Sequence, residues 1–294
     1  MEKIWSYLYN NKLKVDVTEH PVLLTDAILN PKSNREKMIQ IQFETFNVPA
    51  FYVAYQPYLP LLASGTKTGI VLESGGGVSQ ILPIYEFKCR KTEARKTNLA
   101  GESITDYLQI LINEHENTFI SNAEKDIIRD IKEKHSYVAI DYDEERYKFS
   151  TSSIREIKYT LPNKDIINIS EERFKCGELL FKPMLNGFEE KGIHRIFYDS
   201  INSFKIEEQK SFYQNIVVSG GNTALKGFPE RMYKEIVNIA PPSMCIKVIA
   251  PPELRYGVWI GGSIFASLNW FPQCVITRDE YDEEGTQIVH RMCQ

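Results

Sequence analysis

The chain has 294 residues, enough to bury a substantial core and to hold two domains. Hydrophobic residues make up 43% and charged residues 25%, with a net charge of -4, so no polybasic surface for nucleic acid or anionic membrane is indicated. The most apolar stretch, Val258 to Phe271, is broken by Ser263, Ser267 and Asn269 and is too short to span a bilayer; Met1 opens onto Glu2, Lys3 and Trp5 rather than an apolar signal core.

Met1 to Asn11 reads as a helix with Ile4, Trp5 and Leu8 on one face. Val22 to Leu24 is a short strand. Asn30-Pro31 opens a helix running to about Phe46, and Ala50 to Tyr55 is a strand followed by a helical turn after Pro57. Two apolar runs then flank Ser74-Gly75-Gly76-Gly77, a hairpin over residues 68–85. Leu99 to Ser103 leads into a helix with Ile104, Leu108, Leu111 and Ile112 on one side, and Asn122 is expected to cap another helix through Lys134. Tyr137 to Ile140 reads as a strand and Asp141 to Tyr147 as a charged surface segment. Pro162 to Asp165 turns a hairpin between Ile157–Leu161 and Ile166–Ile169. Residues 171–209 are mostly helical. Ile216 to Ser219 and Ile246 to Ile249 are strands around a helix at Phe228 to Ala240. A helix from about Gly262 to Asn269 and a solvated acidic helix face at Asp279 to Glu284 complete the chain. Strands alternating with helices indicate α/β layers.

The five cysteines and five histidines show no C-x-x-C or histidine-ligand spacing, so a reduced, cytosolic protein without a zinc site is the expectation. The hairpin tip carries the first hint of function. Three glycines in a row let backbone N–H groups approach a bulky anion, and Glu73 stands just before them. An isolated S-G-G-G is more often an ordinary permissive turn. A second strand-to-glycine turn, Ile216 to Thr223, changes the balance, because two such turns could grip one polyphosphate from two sides.

At these residues a family becomes visible. The chain closely resembles the actin family through Met1-Glu2-Lys3-Ile4-Trp5, Glu19 to Thr25, Asn34 to Met38, Phe43 to Asn47, Ile128 to Lys134 and Ser219-Gly220-Gly221. It continues through Ile249 to Glu253, Val258 to Ser263, Glu280 to Glu283 and Ile288 to Arg291. The resemblance covers the whole chain, whereas Met1 falls where the family's chain is already under way. It implies an actin-like ATPase-domain fold, α/β with ribonuclease H-like domains around a nucleotide cleft, the N-terminal portion with its first phosphate hairpin being absent. Residues 1–64 and 256–294 would form the remainder of the first, outer domain. Residues 65–255 would be mainly the second, inner domain, with the hairpin at 68–85 lining the cleft.

The resemblance implies ATP or ADP with Mg2+ or Ca2+ as the cofactor, weakly held. Phosphate contacts fall on Gly75, Gly76, Gly77 and Val78. Base and ribose contacts fall on Gly101, Lys132, Glu133, Gly221, Asn222, Leu225 and Arg255. Gln56 matches the family's water-orienting glutamine, and Glu73 stands where an aspartate orders the metal's water shell. Four departures argue against hydrolysis or tight binding. Glu73 is one methylene longer than that aspartate and would push into the water shell. Gly76 replaces a second aspartate. Gln80 replaces a histidine and cannot take a proton at neutral pH. Leu225 replaces a tyrosine beside the base. Leu62, Ala63, Gly65, Glu86, Phe265, Leu268, Trp270 and Cys274 match the apolar cleft used by actin-binding proteins. The expectation is a cytoplasmic, cytoskeletal, actin-like protein with weak or absent hydrolysis. The alternatives are a nucleotide-independent binding module for actin or its binding proteins, or a non-functional fragment. An active phosphotransferase like the sugar kinases would need a carboxylate base that Gly76 does not supply.

Overall fold

The structure, a computed structural model, describes residues 1–116, 124–151 and 156–293. Helix α1 (Glu2–Tyr7) continues into a wider π turn at Leu8–Leu13. Strand β1 (Val22–Asp26), helix α2 (Lys32–Gln40), strand β2 (Ala50–Tyr55) and helix α3 (Tyr58–Ala63) follow. Then come β3 (Gly69–Ser74), β4 (Ser79–Tyr85), β5 (Lys88–Cys89), β6 (Arg95–Thr97), α4 (Gly101–Glu116), α5 (Lys125–His135) and α6 (Tyr142–Ser150). The chain continues through β7 (Ile157–Thr160), β8 (Ile166–Ile169), α7 (Glu172–Glu178), α8 (Ile193–Ile201), α9 (Ile206–Tyr213), β9 (Ile216–Ser219) and α10 (Phe228–Ile239). It ends with β10 (Val248–Ile249), α11 (Gly257–Ala266), β11 (Ile276–Thr277), α12 (Arg278–Glu284) and α13 (Ile288–Met292).

Two larger sheets organise these elements, and β7 and β8 pair antiparallel as a third. One is ordered β1-β2-β11, with β1 and β2 parallel. The other is ordered β10-β9-β3-β4-β5, with β6 pairing β4. Every residue of β3 and β9 is buried, so the strands read as unbroken apolar runs rather than alternating ones. One core gathers Ile39, Phe43, Phe51, Val53 and Leu59 with Phe265, Ile276 and Val289, joining the two ends of the chain. A larger core gathers Ile70, Leu72, Ile104, Ile128, Phe197, Phe212, Val218 and Phe228. Each such side chain contributes on the order of 1.5–3 kcal/mol by leaving water.

Several elements depart from the sequence reading. In α1 the buried residue is Trp5, and in the π turn that follows it is Tyr9, whose hydroxyl donates to Gln42 Oε1 at 3.0 Å; Ile4 and Leu8 face outward. Residues 137–140 form no strand. Tyr137 N–H donates to Arg173 O and Val138 N–H to Lys226 O, leaving a single bridge between Tyr137 and Lys226. The charged segment after Asp141 is helix α6, which Asp141 caps by accepting from Glu144 N–H at 3.1 Å. The expected cap at Asn122 lies outside the described residues; the helix itself begins at Lys125. Among the described residues no helix is long and apolar enough to cross a membrane.

Candidate functional site

Strands β3 and β9 are parallel neighbours, registered Ile70 to Ile216 through Glu73 to Ser219. Both glycine turns therefore leave the same edge of the sheet, at the carboxyl ends of adjacent parallel strands, where open α/β sheets place ligands. The turns are fastened to one another. Asn222 Nδ2 donates to Ser74 Oγ at 3.0 Å and to Gly75 O at 2.6 Å. The start of α4 is tied to the same tip: Gly101 N–H donates to Gly75 O and Glu102 N–H to Gly76 O. Two glycines are sterically required here. A Cβ on Gly220, whose φ is +97°, would lie 2.3 Å from Ser74 O. One on Gly101 would lie 2.9 Å from Asn222 Oδ1. Gly76 and Gly77 differ, since a Cβ there meets nothing within 4 Å.

Beside this clasp opens a cavity of about 510 Å³. Gly75, Gly76, Gly101, Lys132, Glu133, Gly221, Asn222, Leu225 and Arg255 all line it. Gly77 and Val78 stand off it. Sequence reasoning missed Glu102, Thr105, Arg129, Lys134, Ser136, Ala224 and Lys226 on its wall. Thr105 carried a signal: it falls one turn after Gly101, and its hydroxyl donates to Gly101 O at 2.8 Å. Arg129, Lys132, Lys134, Lys226 and Arg255 face Glu102 and Glu133, so the lining favours an anion. Lys132 is buried, and its Nζ donates to Gly101 O at 2.8 Å and Thr105 Oγ1 at 3.0 Å. Burial holds its pKa below the ordinary lysine value. At the rim, Arg255 pairs with Glu133 at 2.8 Å, both half exposed.

Glu73, Gln80 and Gln56 form a second layer beneath the hairpin. Gln80 is fully buried. Its Nε2 donates to Glu73 Oε2 and to Gln56 Oε1, each at 2.7 Å, while its Oε1 accepts from Ile28 N–H at 2.6 Å. Burial pushes the Glu73 carboxyl up to about 7, and the Gln80 amide offsets only part of that cost. Among the described residues no group of three His, Cys, Asp or Glu side chains could hold a metal ion.

The residues matched to the apolar cleft divide. Leu62, Gly65, Glu86, Leu268 and Trp270 line a groove of about 880 Å³ with Ile264 and Phe87. Phe265 instead turns inward, 2% exposed, against Tyr52, Tyr58, Trp270 and Phe271. Ala63 and Cys274 lie off the groove.

The α/β architecture, the paired glycine turns and the cavity between them agree with the comparison to known families. A family model described as Actin matches residues 1–294, the whole of this chain, so the chain belongs to the actin family.

Proposed function

We propose that the chain binds an adenine nucleotide, ATP or ADP, in the 510 Å³ cavity and hydrolyses it poorly if at all. The observation that carries this is the clasp of two glycine turns, from adjacent parallel strands, opening onto a cation-lined cavity. Backbone groups of Gly75, Gly76 and Gly221 supply close approach for phosphates. Lys132 adds a buried ammonium with one N–H to spare beyond its two protein acceptors. Glu133 accepts from ribose hydroxyls, while Arg255 and Leu225 flank the base. The adenine preference rests on family membership.

Mg2+ or Ca2+ would enter with the nucleotide's phosphates and neutralise part of their charge. Glu73 can act on it only through water, since its carboxylate is held by Gln80 and half protonated near neutrality. The fit to a cation is therefore weak. Gln56 remains the candidate for positioning the attacking water. No imidazole or carboxylate stands at Gln80 or Gly76 to take its proton. Residues 1–64 with 256–294, and residues 65–255, form the two bodies of this reading, and its setting is the cytoplasmic cytoskeleton. Titrating the purified chain with ATP, ADP and GTP, beside a Lys132→Met variant, tests it. Equal, weak affinity for all three in both proteins would reject it.

The groove at Leu62, Leu268 and Trp270 supports a second reading. There an amphipathic helix from actin or an actin-binding protein would dock, independently of nucleotide. Ile264 and Trp270 are 40% and 43% exposed, as such anchors require.

A further inference from the structure

A separate cavity of about 300 Å³ is lined in part by Ile28, Leu29 and Asn30 of the β1–α2 loop and shares no lining residue with the cleft. Asn30 and Lys32 contribute from the start of α2, Arg35 from its first turns, Tyr55 from β2, Lys91 from the turn before β6, and His290 from α13. We propose that this cavity binds a small multivalent oxyanion, of which inorganic phosphate is the representative, between the ammonium groups of Lys32 and Lys91.

The charges are arranged for it. The Arg35 guanidinium sits 4.3 Å from the centroid of the Tyr55 ring, and the Lys91 ammonium 4.9 Å from the same centroid. Two cations thus crowd one ring. Arg35 is mostly committed within the protein: its NH1 donates to Tyr55 Oη and Cys293 O and its NH2 to Val53 O, while its buried Nε faces Asp26 Oδ2 at 3.4 Å without a hydrogen bond. It supplies field rather than contacts. Among the described residues, neither Lys32 nor Lys91 has a carboxylate within 4 Å. Asp26 serves Arg35 and Asn30, and Glu36 serves His290 and Gln287. Helix α2 also starts at this cavity with no side-chain cap and no acidic residue in its first turn, so its dipole adds to the positive field. A multivalent anion relieves the repulsion and accepts from both ammoniums; a monovalent one leaves a cation unmatched. The volume takes such an ion together with water.

Equilibrium dialysis of the nucleotide-free full chain against labelled phosphate at low ionic strength tests this. Saturable binding is expected, falling with added salt. Lys32→Met and Lys91→Met should each weaken it about tenfold or more, as for loss of a charge-assisted hydrogen bond. Lys132→Met should remove only the component that the cation-lined cleft takes up, and adding Lys32→Met and Lys91→Met to it should abolish the rest. Both lysines are exposed, so an unchanged thermal midpoint without phosphate will show that the variants fold. Absence of saturable binding would overturn the proposal, as would binding that survives all three substitutions or is lost entirely with Lys132→Met alone. AMP competing as strongly as phosphate would overturn the free-ion assignment in favour of a phosphomonoester. The cleft variant separates failure here from failure of the nucleotide reading.

Discussion

The Gln80 amide donates to the Glu73 carboxyl at 2.7 Å, in a layer where both side chains are buried and, among the described residues, no cation pairs with the acid. That contact has a consequence for pH. The Glu73 pKa rises from 4.5 unfolded to about 7 folded because burial disfavours the anion. The native state therefore binds the extra proton between those values. Its stabilisation is complete below 4.5 and is lost as pH rises through about 7, for a total of about 3 kcal/mol. His194 runs the other way: burial lowers its pKa to about 4, so its contribution is lost as pH falls from 6.5. The two slopes oppose each other, and only a difference between variants isolates one. Glu73→Gln should be more stable than the parent at pH 8, with the gap closing towards pH 4.5. Chemical denaturation across that range measures it. A pH-independent gap would contradict the assignment.

Hydrolysis depends on groups that the second layer lacks. Steady-state phosphate release should fall below that of ordinary actin by ~10²–10⁴-fold, the usual effect of losing a proton-accepting group. The two restoring substitutions should behave differently. Gly76→Asp meets open space and should fold normally, within about 0.5 kcal/mol of the parent. Gln80→His cannot make the three hydrogen bonds of the buried amide to Ile28, Gln56 and Glu73, and should destabilise by about 1–3 kcal/mol. Thermal unfolding of the two variants distinguishes them; equal stability would contradict the role given to Gln80.

What was legible in the sequence follows how local the signal is. Ala50–Tyr55 and the hairpin at 69–85 were readable because each strand carries its own apolar run and the turn its own glycines. Helix α11 begins at Gly257, five residues before the helix expected from about Gly262. Gly261 is the point where α11 meets α3, and a Cβ there would lie 2.0 Å from Leu59 O. The run at Tyr137 to Ile140 has strand composition, yet its backbone partners sit on Arg173 and Lys226. Family resemblance located nine of the named residues on the cavity wall, but the Gln80 layer joins residues 24 and 52 positions apart. From the sequence Gln80 is only a missing histidine; its three partners need the fold.

The clasp between the glycine turns predicts where stability and binding separate. Asn222→Ala removes the donor to Ser74 Oγ and Gly75 O in a buried setting and should cost about 1–3 kcal/mol, together with nucleotide affinity. Glu133→Gln breaks an exposed pair with Arg255 worth about 0–1 kcal/mol, so stability should hardly move. Its nucleotide affinity should still fall, because the rim carboxylate no longer accepts from the ribose as an anion. Denaturation midpoints beside binding isotherms for both variants check this. A Glu133→Gln protein with unchanged affinity would remove that residue from the proposed contacts.

The groove between α3 and α11 should act independently of the cleft. Leu268 is half-buried at its edge beside Trp270, so Leu268→Asp places a charge where an apolar anchor would sit. Burying that charge unpaired costs several kcal/mol, enough to reduce helix docking by 10²-fold or more. The apolar face that packs Phe265 against Tyr52 and Phe271 lies beneath the groove and is unaltered, so the variant should fold and bind nucleotide as the parent does. Fluorescence of Trp270, 43% exposed when free, should change as an amphipathic helical peptide covers it. A peptide that binds the parent and Leu268→Asp equally would show that docking occurs elsewhere. Loss of nucleotide binding in the same variant would show that the two sites are coupled rather than separate.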